Sequence, residues 1–480
     1  MNFPLLATVS AHGEGVVPLG VTLVFAALLV GLILCLALEE TIHAKKSIIA
    51  VVFALICLFL ANVFRLYEYV DHKFLIRLPP FDSAPGHMVE LPVYIPAIDW
   101  GVIALIFGAS LFIDITSKSG LFTWIAIKLT KASRGDPRRL LWFYGLMTVV
   151  FSAVLNNVAA MIIVGALTGV SLKKLGRTNL MLGFLLIEAL LTNIGGLLTL
   201  ISSVPNIIIG NAAGISFMTF FIKSAPFVLV ATIGTIMLGA KLFGITKLHS
   251  VKEKEEAALL VSGFDENDGI ESHGFFWFGA VMLFLFIVTI ATTSILPVVQ
   301  DLGMSFVALA FAAIMLVRYK ASVDKFYRAM DWDLLGFFAA LFVVINVMEH
   351  ALVLDLIGKG LSRVISLNET IGYGAGTGAI LVSSAAFSSV TDNIPLSAML
   401  AKILQAQGTA STDPLWWSVV FGANLGGNLT PIGSASTLVA VTIIHKNGLV
   451  LSFGRFVRLA LPFAALQIAL ATVYVLLFLR

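Results

Sequence analysis

The sequence predicts an all-α polytopic membrane protein made of two inverted repeats, each with a re-entrant hairpin and a broken helix, giving about ten spans and two hairpins. Three observations predict it: an apolar composition, apolar runs of spanning length, and the same order of elements in both halves. Of the 480 residues, 59% are hydrophobic and 12% are charged, and the mean hydropathy is +1.01. Soluble domains carry roughly 25% charged residues, so this sequence has too little polar surface to cover a water-soluble particle.

Composition and missing motifs exclude several classes of function. The net charge of +3 disfavours a nucleic-acid partner. Cys35 and Cys57 lie within apolar runs, so we expect neither a disulfide framework nor a four-ligand metal site. The sequence contains no G-x-x-x-x-G-K-[ST], H-E-x-x-H or G-x-S-x-G motif, so we expect no enzyme activity and no bound cofactor.

Apolar runs of spanning length predict the transmembrane helices, since a span needs about 20 apolar residues. The predicted spans cover residues 16–38, 47–65, 100–116, 178–210, 219–241, 275–297, 302–318, 333–349, 414–444 and 455–478.

Two of these runs, 178–210 and 414–444, are longer than a span requires. Each contains a glycine pair, Gly195-Gly196 or Gly426-Gly427, and a proline follows each pair. Glycine and proline weaken the backbone hydrogen-bond ladder, so each run is predicted to be a broken helix.

Two further apolar stretches, 140–172 and 371–407, are interrupted by polar residues. Asn156-Asn157 divides the first into limbs of about 16 residues, which rise only ~24 Å against a hydrocarbon core of ~30 Å. Basic residues flank this stretch at both ends, so both ends are expected in the cytoplasm. This predicts a re-entrant hairpin with its polar tip near mid-membrane; two short, tilted spans are the alternative.

The distribution of basic residues predicts the orientation of the repeats. Residues 1–15 are expected outside the cytoplasm and lack the basic start of a cleaved signal peptide. Residues 16–241 form the first repeat, 242–274 a polar cytoplasmic linker, and 275–480 the second repeat. Each half crosses the membrane five times by this assignment, an odd number, so the halves are inverted. Such repeats are typical of secondary transporters, although channels also contain re-entrant loops.

Small, amide and hydroxyl residues concentrate at the two hairpin tips and the two broken helices. Unwound backbone exposes carbonyl oxygens that coordinate Na⁺, amide and hydroxyl groups add neutral oxygens, and half-helix N-termini attract anions. In the alternative interpretation these side chains only cap helices. The predicted binding residues are Ser152, Asn156, Asn157, Thr192, Asn193, Gly195, Gly196, Ser202, Asn206, Ser389, Thr391, Asp392, Asn393, Gly426, Gly427, Asn428 and Thr430. Na⁺ is expected at Asn156, Asn157, Asp392 and Asn393.

Two acids are candidates for proton coupling. Asp392 is the acid within the four clusters, and a carboxylate at membrane depth is costly unless it has a function. The alternative is that it caps the second limb of its hairpin. Glu188 stands four residues before Thr192 in an apolar run. It is either a second proton or ion site or a buried protonated acid bonded to a neighbouring helix.

Several segments together resemble the ion transporter superfamily. The branch in question contains the arsenite efflux permeases and the melanosomal P protein, with a citrate-transporter-like domain. The matching segments are SGLFTWIAIKLTKASRG (119–135), SAVLNNVAAMII (152–163), IEALLTNIGGLLTLISSVPNIII (187–209), VTDNIPLSAML (390–400) and GANLGGNLTPIGSASTL (422–438). The resemblance implies a homodimer with a scaffold part and an elevator-type transport part. It also implies that Asn156, Asn157, Gly195, Gly196, Asp392, Asn393, Gly426 and Gly427 line the site.

The combined observations predict a secondary active ion transporter, coupled to Na⁺ or H⁺, in the inner cell membrane. The alternatives are arsenite or antimonite efflux, dicarboxylate or citrate transport, and, more remotely, an ion channel. The expected partners are the lipid bilayer, a second copy of the chain and a small ion. A soluble ATPase partner is expected only for an arsenite pump.

Overall fold

The computed structural model describes residues 17–66, 73–76, 87–92, 94–320, 323–367, 374–391 and 393–479. Its architecture confirms the predicted all-α class. It adds one small feature, an antiparallel sheet in which β1 (Lys73–Ile76) pairs with β2 (His87–Glu90).

The helices of the first half run in the order of three spans, a shorter helix, a hairpin, a broken helix and a final span. They are α1 (Leu19–Ala37), α2 (Glu39–Ile42), α3 (Lys46–Val63), α4 (Trp100–Ser117), α5 (Leu121–Ser133), α6 (Pro137–Val154), α7 (Asn157–Lys174), α8 (Met181–Gly195), α9 (Val204–Ala213) and α10 (Phe217–Leu242).

The second half repeats this order after a connecting helix, α11 (Val251–Ser262). Its helices are α12 (His273–Thr292), α13 (Val299–Arg318), α14 (Val323–Ala329), α15 (Trp332–His350), α16 (Val353–Ile365), α17 (Ala375–Ser388), α18 (Asn393–Ala406), α19 (Pro414–Gly426), α20 (Ala435–Lys446) and α21 (Phe453–Phe478). Gly303, at φ 77°, interrupts α13.

Within the described chain, 10 helical segments are long and apolar enough to cross a membrane. They agree with the predicted spans at all but two places. The limb α7, predicted as half of a hairpin, is itself 18 residues long and apolar enough to be a span. The run 414–444 is split into α19 and α20, which are 13 and 12 residues long.

Helix caps explain where the first hairpin begins and turns. Asp136 precedes Pro137 and accepts a hydrogen bond from the Arg139 backbone N at 2.9 Å, which starts α6. At the tip, the Asn156 side chain accepts from the Ala159 backbone N at 2.7 Å and starts α7. Helix α6 ends at Val154, and the asparagine pair begins α7 directly after the turn.

The two broken helices have the same local construction. Helix α8 ends at Gly195 and α19 ends at Gly426, each at the first glycine of its pair. The second segments, α9 and α20, begin after serines with extended backbone, Ser203 and Ser434. Both predicted breaks are thus present, each with a non-helical connection between two half-helices.

The chain divides into two compact units, and each draws on both halves of the sequence. The first unit comprises Met1–Ile103 and Asp331–Ser362. Within it, α15, the third span of the second half, packs against α1 and α3 of the first half. The Ser47 hydroxyl donates to the Asp333 carboxylate in this contact.

The second unit comprises Ala104–Met330 and Arg363–Arg480. Within it, α4, the third span of the first half, packs against α12 and α13. The Phe112 ring lies 4.5 Å from the Phe286 ring and 5.8 Å from that of Phe311. Gly108 lies so close to α13 that an added Cβ would be 2.6 Å from Ala308 backbone. In each unit, then, the third span of one half packs with the first two spans of the other.

Candidate functional site

The first hairpin is hydrogen-bonded to the first broken helix through backbone carbonyls. The Ser152 hydroxyl donates to the Thr192 carbonyl at 2.6 Å. The Thr199 hydroxyl, from the non-helical connection, donates back to the Ala153 carbonyl at 2.6 Å. Ser152, Thr192 and Thr199 are all buried. Hydrogen bonds therefore join the hairpin to the broken helix both before and after the glycine pair.

The second half makes the same two hydrogen bonds at corresponding positions. The Ser388 hydroxyl donates to the Ala423 carbonyl, three residues before Gly426, as Thr192 stands three before Gly195. The Thr430 hydroxyl donates to the Ser389 carbonyl. Thr430 follows Gly426 by four residues, as Thr199 follows Gly195. The two halves therefore use one design for joining hairpin to break.

Glycine is required where each hairpin meets its broken helix. A Cβ added to Gly195 would lie 2.6 Å from the Val149 carbonyl oxygen. A Cβ added to Gly426 would collide with the Ala385 carbonyl. Backbone packs directly on backbone at both places, which only a residue without a side chain permits.

The two broken helices contact each other through a reciprocal pair of hydrogen bonds. The Ser203 hydroxyl donates to Asn424 Oδ1 at 2.8 Å. The Ser434 hydroxyl donates to Asn193 Oδ1 at 3.0 Å. Both serines precede the second half-helix, and both asparagines stand two residues before a glycine pair. Reciprocal contacts of this kind are what a two-fold relation between equivalent elements produces.

A continuous chain of amides passes through Asn193; we call it the amide network. Asn157 Nδ2, at the tip of the first hairpin, donates to Asn193 Oδ1 at 3.1 Å. Asn193 Nδ2 donates to Asn428 Oδ1 at 2.8 Å. Asn428 Nδ2 donates to Gln467 Oε1 of α21 at 2.7 Å, and Gln467 Nε2 donates to Thr235 Oγ1 of α10 at 3.0 Å. The network thus joins the hairpin tip, both broken helices and the final span of each half.

Other predicted residues surround this network. The Thr192 hydroxyl donates to Ser436 Oγ at 2.9 Å. Asn206 Nδ2 donates to the Gly196 carbonyl at 2.7 Å, and the Ser202 hydroxyl donates to the same carbonyl at 2.6 Å. These bonds satisfy the backbone oxygen freed where α8 ends.

The second hairpin tip includes Ser389, Thr391 and Asn393. Asp392 lies outside the described residues. Thr391 is buried and donates to the Phe387 carbonyl of α17 at 3.0 Å. Ser389 donates to the Ala386 carbonyl, and Asn393 begins α18. These contacts remain within the second hairpin, whereas the first tip joins the amide network directly.

Glu188 lies beside the amide network but belongs to a different contact. Its side chain is fully buried, and its Oε1 accepts a hydrogen bond from Thr168 Oγ1 of α7 at 2.6 Å. It stands one helical turn before Thr192 on α8.

Sequence reasoning did not select several residues that take part in the site. Ser203, Asn424 and Ser434 lie inside the predicted clusters but are not among the predicted binding residues. Gln467 and Thr235 lie outside the clusters, and their one signal is a polar side chain within an apolar run. No group of three or more His, Cys, Asp or Glu side chains suited to a metal ion occurs in the described part of the chain.

The fold and site define a class: a multi-pass integral membrane transporter whose two halves meet at broken helices. The sequence profile of the citrate transporter family matches residues 33–422, and the chain belongs to this family.

Relatives in sequence include a protein named as a transporter and the P protein. An uncharacterised transporter of Mycobacterium tuberculosis is 30% identical over 383 residues, covering 78% of this chain and 86% of its own length. The human P protein is 26% identical over 470 residues, covering 82% of this chain and 55% of the P protein.

Solved structures share the fold at low sequence identity. The Alcanivorax borkumensis YdaH transporter aligns with a TM-score of 0.60 and 14% identity, over 90% of this chain and 98% of its own. Neisseria gonorrhoeae MtrF, described as one of a class of antimetabolite efflux pumps, aligns with a TM-score of 0.54 and 12% identity. That alignment covers 91% of this chain and 95% of MtrF.

Proposed function

We propose that this transporter is secondary active and couples the movement of Na⁺ or H⁺ to that of a small ion or solute. The observation that carries the proposal is the reciprocal crossing of the broken helices, Ser203 with Asn424 and Ser434 with Asn193. The crossing brings equivalent elements of the two halves to one place, and the first hairpin tip contacts it through Asn157. A site between inverted elements can be opened to either side of the membrane in turn.

The chemistry of the crossing favours a monovalent cation among neutral ligands. Oxygens of Asn428, Ser434 and Ser436 take part in hydrogen bonds with Asn193, and all four clusters in the sequence lack Lys and Arg. Hard cations prefer such oxygens. The half-helices α9 and α20 begin at the same crossing, and their N-termini present a positive dipole end to an anion. Cation and anion can therefore be bound at neighbouring places.

We assign the coupling charge to Asp392 by the correspondence of the halves. Ser152 corresponds to Ser388 in the hydrogen bonds between hairpin and break. Counting four residues onward pairs Asn156 with Asp392, and the next step pairs Asn157 with Asn393. One tip is therefore neutral and the other acidic, which suits a single monovalent cation.

Three substrate classes remain candidates. The family's name favours citrate or a dicarboxylate, for which the N-termini of α9 and α20 would supply the anion site. Neutral arsenite needs no charged ligand. The two cysteines, Cys35 in α1 and Cys57 in α3, lie outside the four clusters. A cation exchanged for H⁺ needs only the neutral oxygens and an acid.

The proposal includes elevator-type movement in a homodimer of the inner membrane. The hairpins, broken helices and final spans pack on one another within the second unit. A part that is so interconnected can move as one body, which elevator transport requires.

Flux measurements in proteoliposomes test the proposal. The panel is Na⁺, Li⁺, arsenite, citrate and succinate, each with imposed pH and Na⁺ gradients. A secondary transporter gives saturable flux of one panel member that follows a cation gradient. Non-saturating flux with large single-channel currents would indicate a channel, and flux of none of the five under any gradient would refute the proposed substrates.

A further inference from the structure

A fully buried carboxyl lies between the first hairpin and the first broken helix. Glu188 Oε1 accepts from Thr168 Oγ1 at 2.6 Å. Glu188 Oε2 is also buried, and it makes no hydrogen bond to any residue that the structure describes. A buried polar atom without a partner is uncommon in proteins and needs an explanation.

A second group of buried hydroxyls lies next to this carboxyl. Ser171 of α7 stands three residues after Thr168, about one helical turn from the hydroxyl that bonds Glu188. The Tyr144 hydroxyl is hydrogen-bonded to Ser171 Oγ of α7 at 2.7 Å and to Thr130 Oγ1 of α5 at 2.5 Å. All of these side chains are buried. Ser171 is close to the end of α7 at Lys174, so the hydroxyls lie between Glu188 and the base of the hairpin.

The charged groups on the surrounding helices lie within about two turns of the helix ends. Those on the elements packed against α8 are Asp136 before α6, Arg138 and Arg139 of α6, Lys173 and Lys174 of α7, Arg177 before α8, Lys223 and Lys241 of α10, Asp413 before α19, His445 and Lys446 of α20, and Arg455 and Arg458 of α21. Tyr144, inside α6, is hydrogen-bonded to Ser171, which lies one turn from Thr168 on α7. An ionised Glu188 would have no counter-charge beside it, and burial of such a charge is costly.

The position of Glu188 on α8 links it to the amide network. It precedes Thr192 by four residues, about 6 Å along the helix. Thr192 contacts Ser436, and the next residue, Asn193, is the centre of the network. A negative charge on Glu188 would stabilise a cation held by these neutral oxygens, and protonation would remove that stabilisation.

We propose that Glu188 is a proton-binding site, distinct from the helix crossing, that releases its proton when a cation occupies the amide network. The Glu188 O–H bond breaks, the proton passes by way of the Tyr144, Ser171 and Thr130 hydroxyls towards the base of the hairpin, and the carboxylate charge remains to balance the cation. This inference rests on the proposed function and specifies H⁺ as one of its ions. In this scheme the fixed coupling charge is assigned to Asp392, and Glu188 binds and releases the proton.

Infrared difference spectroscopy of the purified protein in lipid tests the protonation itself. NaCl is added against a KCl reference, and LiCl in a second series. The wild type is expected to lose a protonated-carboxyl band when Na⁺ or Li⁺ is added. That band should be missing in Glu188→Gln and shifted in Thr168→Val, which removes the hydrogen bond to Oε1. Thr116→Val is the matched control, since Thr116 is equally buried and donates within its own helix to Phe112; its band should equal that of the wild type.

A band that persists in Glu188→Gln would overturn the assignment of the proton to Glu188. A Glu188 band that neither Na⁺ nor Li⁺ alters would overturn its coupling to the cation. Both outcomes are read without transport, so they do not depend on finding the substrate.

Proteoliposomes with a pH dye inside separate this inference from the proposed function. We expect cation-driven proton movement to fall about tenfold or more in Glu188→Gln, as for coupled sites in general, and to slow in Tyr144→Phe. If the wild type moves cations and Glu188→Gln moves protons equally well, the Glu188 inference fails and the transporter stands. If the wild type moves no ion, the proposed function fails, and the infrared result decides the state of Glu188.

Discussion

At the scale of single residues, the two glycine pairs have separable roles. Gly195 and Gly426, first in their pairs, lie against the backbone of a hairpin limb. Gly427, second in its pair, faces Gly433 and Ser434 within its own broken helix, where an added Cβ would be 2.8 Å from the Gly433 carbonyl. The first glycine of each pair therefore sets the distance between hairpin and break. Of the second glycines, Gly427 lets its connection pack closely on itself, whereas Gly196 lies against the hairpin tip, where an added Cβ would be 2.6 Å from Asn157 Oδ1.

Substituting the first glycines should separate hairpin from break. We expect Gly195→Ala and Gly426→Ala to insert into the membrane but to lose most transport, because the new methyl forces the backbones apart at a cost of about 1–3 kcal/mol. Gly454→Ala is the control, since an added Cβ there meets open space in a helix. Flux and thermal unfolding of the three variants check this. Wild-type flux in both Gly195→Ala and Gly426→Ala would show that the close contacts serve packing alone.

The coupling acid gives a second prediction at this scale. Asp392→Asn keeps the size of the side chain and removes its charge, so gradient-driven transport should be lost and any remaining flux should not depend on pH. Asp392→Glu should keep partial activity with a shifted pH profile. Asp413→Asn is the control, because Asp413 caps α19 by accepting from the Leu415 backbone N. Unchanged pH-dependent transport in Asp392→Asn would make Asp392 a helix cap.

At the scale of elements, the first hairpin was predictable from its flanking charges, but the length of its limbs was not. Each limb, α6 and α7, has 18 residues, whereas the position of Asn156-Asn157 in the apolar stretch predicts limbs of about 16 residues. Helix α7 alone is long and apolar enough to span a membrane. Length therefore does not distinguish a hairpin from two spans, and the side on which its two ends emerge does.

Cysteine labelling of the two ends makes this distinction. In a background of Cys35→Ala and Cys57→Ala, single cysteines at Arg138 and Lys173, both exposed, should react with an impermeant reagent from the same side of the membrane. A cysteine at Ser216, which caps the start of α10 at the opposite end of the predicted broken helix, should react from the other side. Reaction of positions 138 and 173 from opposite sides would convert the hairpin into a span.

The linker between the halves is held by ion pairs to α5, the helix that precedes the first hairpin. Glu266 accepts from Lys128 Nζ at 2.8 Å and pairs with Lys131, both on α5. The hydrogen bond from Lys128, followed by that from Lys131, lowers the pKa of Glu266 to about 2. A lowered pKa means that this attachment is present above the ordinary carboxyl pKa of about 4.3 and is lost as the pH falls towards 2.

We expect Glu266→Gln to speed trypsin cleavage between residues 242 and 274 at neutral pH. High salt should produce the same increase in the wild type, because exposed ion pairs are screened. Glu256→Gln, which removes a pair with Lys252 inside α11, should cleave at the wild-type rate. Equal cleavage of Glu266→Gln and the wild type would show that other contacts, such as Asp136 with the Leu248 backbone N at 3.0 Å, hold the linker alone.

At the scale of the whole molecule, hydropathy and breaker residues predicted the element order because both are local properties of the chain. They could not predict which elements meet. The bond between Ser203 and Asn424 joins residues 221 apart in sequence, and the packing of α15 on α3 exchanges a span between halves. Gln467 shows the same limit, because a lone amide in an apolar helix gives no indication of its partner.

The central claim is that coupled transport takes place at the crossing of the two broken helices. Uptake of the panel substrate against its own gradient, driven by an imposed cation gradient in proteoliposomes, tests it most directly. Wild-type protein and Asn62→Ala, which alters an exposed amide of α3, should accumulate substrate. Asn193→Ala should reduce accumulation about tenfold or more, since it leaves Asn157, Asn428 and Ser434 without their buried partner. Accumulation by Asn193→Ala at the wild-type rate and level would contradict the account.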